Sequence, residues 1–91
     1  MKTITLENAE KLIRSTNGSI FTVSFHKVDG SLREMNCRLG VKKNLKGKGL
    51  AFDPSEHDLL TVFDMQKDAY RMIRLSAMRF LKVDGESFVI V

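Results

Sequence analysis

Between Ile13 and Phe21 the spacing of apolar residues changes from helical to alternating, and this limits the chain to one short helix followed by strands. Before the change, Leu6, Ala9, Leu12 and Ile13 recur at helical intervals. Thr5 has the side chain of an N-cap, Glu7 and Glu10 suit the positive start of a helix, Lys11 and Arg14 suit its end, and Asn17-Gly18 supplies a stop. A helix over about residues 5–16 follows, with a single apolar stripe. Alone it would be marginal, so it needs a larger body to pack against.

After the change the period is two. Phe21, Val23 and Phe25 alternate with Thr22, Ser24 and His26; Met35, Cys37 and Leu39 alternate with Glu34, Asn36 and Arg38; Val28-Asp29-Gly30-Ser31 lies between the two runs. An Asp-Gly pair between alternating runs is a strong hairpin signal. Leu59 to Met65 and Tyr70 to Leu75, joined by Gln66-Lys67-Asp68-Ala69, read as a second and more buried hairpin. Ser76-Ala77-Met78 suits one helical turn, and Arg79 to Val83, Asp84-Gly85 and Ser87 to Val91 read as strand, turn and strand. Five to six short antiparallel strands leave too many edges for a flat sheet, so the expected fold is mainly β. It is a small barrel over about residues 20–91, with the N-terminal helix capping one open end.

The 91 residues and their hydrophobic fraction of 43% suffice for one modest core, and hence for a single domain spanning 1–91. The lone Cys37 cannot form an intramolecular disulfide; by alternation with Met35 and Leu39 it is a small core residue. His26 and His57 lack a Cys or acid at ligand spacing, so no metal site is expected, and no cofactor is implied. The start of the chain carries Glu7 where a secretory leader would be apolar, and no later run suits a bilayer, which points to a cytoplasmic protein with no membrane partner.

The net charge of +4 is modest but unevenly placed: cations crowd into 33–48 and 71–82, while Asp53, Glu56, Asp58, Asp64 and Asp68 occupy the interval. The segment from Cys37 to Gly49 holds five cations, Arg38, Lys42, Lys43, Lys46 and Lys48, and no anion. Its Gly47 and Gly49 would permit close backbone approach to phosphates while the ammonium groups neutralise charge. The spacing is not that of a Walker-A loop. Arg71, Arg74 and Arg79 fall in expected strands, where a guanidinium can grip a phosphate or base edge, and Tyr70 could stack on a base. The competing structural reading pairs Arg71 with Asp64 or Asp68 and leaves Tyr70 in the core with its hydroxyl at the rim. Asp53, Glu56, His57 and Asp58 surround Pro54 without rigid support and make no catalytic set. The chain reads as a binding module rather than an enzyme.

Two runs carry a resemblance to a known family: Arg38-Leu39-Gly40-Val41-Lys42-Lys43, and Asp64 to Ile73 with its Asp-x-x-Lys-x-x-Tyr-Arg-x-Ile pattern. Over about residues 20–91 the chain is similar to small, mostly phage-encoded proteins described as WYL-like, with an Sm-like SH3 β-barrel. The resemblance implies that barrel, a nucleic acid or nucleotide-like ligand, assembly into a homo-oligomer, and, for a viral protein, work in the host cytoplasm. Two other expectations use the same residues. The chain could bind and modulate a host protein, the basic loop then recognising carboxylates, or it could act as a sponge for small nucleotide signals.

Overall fold

Thr5 caps the helix as its side chain suggests, accepting a hydrogen bond from the Asn8 amide at 3.2 Å. In the computed structural model, which describes residues 1–40 and 58–91, the helix α1 spans Leu6–Arg14. It is shorter than the 5–16 expected. The hydroxyls of Ser15 and Thr16 bond back to the carbonyls of Leu12 and Ile13, and Asn17 and Gly18 then turn left-handed, at φ 52° and 91°. Its stripe docks as expected: Ala9 and Ile13 are fully buried, with Leu6 and Leu12 beside them against the core.

The strands are β1 (Lys2–Ile4), β2 (Phe21–His26), β3 (Leu32–Arg38), β4 (Leu59–Asp64), β5 (Ala69–Arg74), β6 (Met78–Val83) and β7 (Glu86–Ile90). A single 3-10 turn, Leu75–Ala77, joins β5 to β6. The described residues form one seven-stranded sheet in the order β1-β7-β6-β2-β3-β4-β5. This is the mainly β fold the alternation predicts, with one strand beyond the five to six expected. The addition, β1, also breaks the antiparallel rule, since it runs parallel to β7 with Ile4 opposite Ile90. Three residues with one inward apolar side chain are too few to show a period, so sequence alone does not reveal it.

The turns are where the Gly and Asp signals put them. Asp84 and Gly85 both take positive φ, 51° and 80°, the two-residue arrangement that matches the twist of the strands it joins. Gly30 turns β2 into β3 at φ 88°, with the Asp29 carboxylate accepting from the amide and hydroxyl of Ser31. Those bonds hold the Asp29 carboxyl below its usual range. The expected second hairpin forms, but only β4 is well buried; β5 is an edge strand with most residues exposed.

Phe21, Val23, Met35, Leu60, Val62 and Leu81 fill the interior with Cys37 among them. Burial, reinforced by the negative charge of Asp64, pushes the Cys37 thiol up to about 12 from 9.0. In the unfolded chain the thiol ionises near the lower value. Between the two the unfolded state binds fewer protons, so the thiol's contribution to stability is complete below about pH 9 and falls as pH rises further. Denaturant melts of the wild type and Cys37→Ala are therefore expected to converge as pH rises above 9. Native Cys37 should resist a thiol reagent that reacts readily once urea unfolds the chain.

Candidate anion-binding groove

The inward face of β4 carries Leu60, Val62 and then Asp64, so alternation places a carboxylate where the next core side chain would stand. Asp64 is fully buried. Its Oδ1 accepts from the amides of Gln66 and Lys67 at 2.9 and 3.2 Å, which closes the β4–β5 turn. Its Oδ2 accepts from Arg33 of β3 at 3.0 Å and lies 3.9 Å from Nε of Arg71 on β5. One buried carboxylate thus orients two guanidiniums, and its single negative charge leaves a net positive charge on that trio.

The curl of the sheet brings β5 opposite the β2–β3 hairpin, and a cleft of about 630 Å³ lies there. Phe25, Met35, Leu59 and Met72 supply its apolar lining, and Lys27, Arg33, Arg71 and Arg74 its cations. Against these four cations stand Asp29, also in the lining, and Asp64 behind Arg33 and Arg71; four less two leaves two uncompensated positive charges.

A second hollow of about 390 Å³ shares His26, Lys27, Val28 and Arg74 with the first and adds Ser76, Ala77 and Arg79. Arg79 reaches it because the β2–β6 register slips: Ser24 faces Phe80, yet Phe25 faces Met78, so Arg79 is the extra residue of a bulge. Met78 and Leu81 consequently both point into the core although three positions apart. The Arg79 Nη1 donates to the carbonyls of Ser76 and Met78 at 3.1 and 3.0 Å, which pins the side chain.

Of the residues singled out from sequence, Arg71, Arg74 and Arg79 come together along this groove. Tyr70 does not line it; its ring meets Phe63 edge-on, with centroids 5.3 Å apart, across the β4–β5 pair. Arg38 is opposite Phe63 on β3, half-buried and away from the groove, with Nε buried and unpartnered among the described residues. Lys42, Lys43, Lys46 and Lys48 lie outside the described residues, as do Asp53, Glu56 and His57. The expected Arg71–Asp64 pairing is present, but Arg33 is the nearer partner.

Sequence reading missed Lys27 and Arg33. A signal for Arg33 existed, since it shares the inward parity of Met35 and Cys37, and a cation on an apolar face calls for a buried acid. Lys27 has no such signal.

Residues 9–81 match the family model described as WYL_2, Sm-like SH3 β-barrel fold. The chain belongs to the WYL_2 family. No curated protein and no solved structure gives a significant match. The WYL_2 match includes every described residue that lines the groove and ends at Leu81, within β6, so β1 and β7 lie outside the matched region.

Replacing Asp64 with Ala uncaps the turn and leaves Arg33, about three-quarters buried, without its partner. Breaking a buried pair in this way costs about 3 kcal/mol, the low end of the range because Arg33 retains some solvent. For a domain of this size that corresponds to a drop of about 15 °C in Tm. Asp64→Asn is expected to lose less, since its amide oxygen still accepts from the turn. Thermal melting followed by circular dichroism checks the order.

Proposed function

We propose that this WYL_2 chain is a non-enzymatic binding module that holds nucleic acid or a nucleotide-like anion in the groove between β5 and the β2–β3 hairpin. The observation that carries the reading is the sharing of Lys27, His26 and Arg74 by both hollows, which makes one continuous basic concavity of them. Clefts lined by one sign of charge concentrate ligands of the other. Arg74 makes no side-chain hydrogen bond or ion pair among the described residues, so its guanidinium is available for a phosphate. Lys42, Lys43, Lys46 and Lys48, which lie outside the described residues, are counted among the ligand-binding cations on their charge alone. The proposal also includes phage origin and a cytoplasmic location; among the described residues no helix is long and apolar enough to cross a membrane.

Arg74→Ala and the quadruple replacement of Lys42, Lys43, Lys46 and Lys48 by Ala are expected to weaken binding of a single-stranded oligonucleotide. For every phosphate no longer neutralised, the slope of log affinity against log salt should fall by about one unit, as read by fluorescence anisotropy across a salt series. Affinity for oligonucleotides and nucleotides that is absent in the wild type would turn the reading toward an acidic protein partner.

Self-association belongs to the same proposal. Among the described residues β1 and β5 each present one unpaired edge, and an unpaired edge is a template for another strand. Sedimentation at high micromolar concentration is expected to give a mass above the 10.3 kDa of one chain; a strict monomer would remove this part.

A further inference from the structure

We infer that the two hollows divide a single ligand between them, a flat ring entering the larger and its phosphate the smaller, so that the preferred occupant is one nucleoside monophosphate rather than a run of polymer. This rests on the anion-binding reading above and specifies its ligand.

The larger hollow, about 630 Å³, falls in the range of roughly 300–1,000 Å³ typical of small-molecule sites. Its lining is chiefly apolar, and two of those residues are the flexible, polarizable Met35 and Met72, which adapt to an aromatic edge, while Phe25 offers a ring face. Two of the three carboxylates at the groove, Asp29 and Asp64, belong to this side. Asp29 is in the lining and Asp64 stands behind Arg33, so a phosphate is less favoured here than a neutral ring.

The smaller hollow has the more polar lining. Lys27, Arg74 and Arg79 line it with the Ser76 side chain and no carboxylate, although the Asp58 carboxylate accepts from the Ser76 hydroxyl at 2.5 Å. Arg79 arrives already fixed: two carbonyls take the hydrogens of Nη1, and Nε and Nη2 remain as donors. A side chain ordered before the ligand arrives loses little entropy on binding. Arg74 lines both hollows and so stands where ring and phosphate would join.

A polymer would ask for something else. Sequence-tolerant binding of single strands relies on successive exposed aromatic platforms. In the groove the lining rings among the described residues are Phe25 and the His26 imidazole beside it; Tyr70 is engaged with Phe63, and the partly exposed Phe80 is not in the lining. Two rings at one spot suit a single base better than a run of them.

The test is calorimetric titration of the full chain with the four common nucleoside monophosphates, the matching nucleosides, inorganic phosphate and a single-stranded decamer. At least one monophosphate should bind about tenfold or more tightly than its nucleoside and than phosphate alone, since each half lacks one of the two sets of interactions. Arg79→Ala should remove most of the advantage of monophosphate over nucleoside, whereas Met72→Ala should weaken both alike. Both positions are solvent-exposed, and melting curves report whether each variant stays folded. A decamer that binds in an Arg74-dependent way while no monophosphate does would overturn this inference and leave the proposed function standing. Silence from every nucleotide and oligonucleotide would overturn both.

Discussion

Among the described residues the Asp64 carboxylate stands at the shortest ladder of the sheet. The β3–β4 ladder consists of Cys37 opposite Asp64 and Arg38 opposite Phe63, extended by the Met65 amide donating to Asn36, whereas β2 and β3 are matched over six positions. The hairpin turn between β2 and β3 is short, but β3 and β4 are joined through the whole of 39–58, so chain connectivity does little to bring them together. An ion pair from Arg33 on β3 to Asp64 on β4, with the same carboxylate closing the β4–β5 turn, supplies the missing restraint. Burying a carboxylate is costly unless it is hydrogen-bonded and paired, and here both oxygens are engaged.

That solution shapes the groove. Because one acid serves Arg33 and Arg71, the structural pairing leaves positive charge over, and it does so beside a cleft that the curl of the sheet has opened. The β6 bulge adds Arg79 from the other side while keeping Met78 and Leu81 in the core. A strand in strict alternation could not both bury those two residues, three positions apart, and direct Arg79 to the hollow. Fold and basic surface are thus linked through backbone irregularities and one buried acid, with no separate scaffold for the site.

Much of the fold was legible because its signals are local. The helical spacing of Leu6 to Ile13, the alternation of Phe21 to Phe25, and the Asp29-Gly30 and Asp84-Gly85 turns each act within a few residues. The site was legible in part. Arg71, Arg74 and Arg79 were identifiable as cations in strands, yet the same reasoning grouped them with Tyr70 and Arg38, which stand elsewhere. Alternation gives the face of a strand that a residue occupies, but not which distant strand will curl over it. Lys27 enters the groove only because the tip of its hairpin meets β5, a juxtaposition between strands that are not neighbours in the sheet.

By itself, then, the amino-acid sequence determined the class of the fold, the place of the helix, the burial of Cys37 and the turns, since periodicity and φ preferences are properties of short segments. Tertiary structure decided the parallel docking of β1 on β7, the choice of Arg33 over Arg71 as the closer partner of Asp64, and the bulge that frees Arg79. These depend on distances between residues far apart along the chain. Such distances are set by the packing of a whole core against its sheet, and no local pattern encodes them.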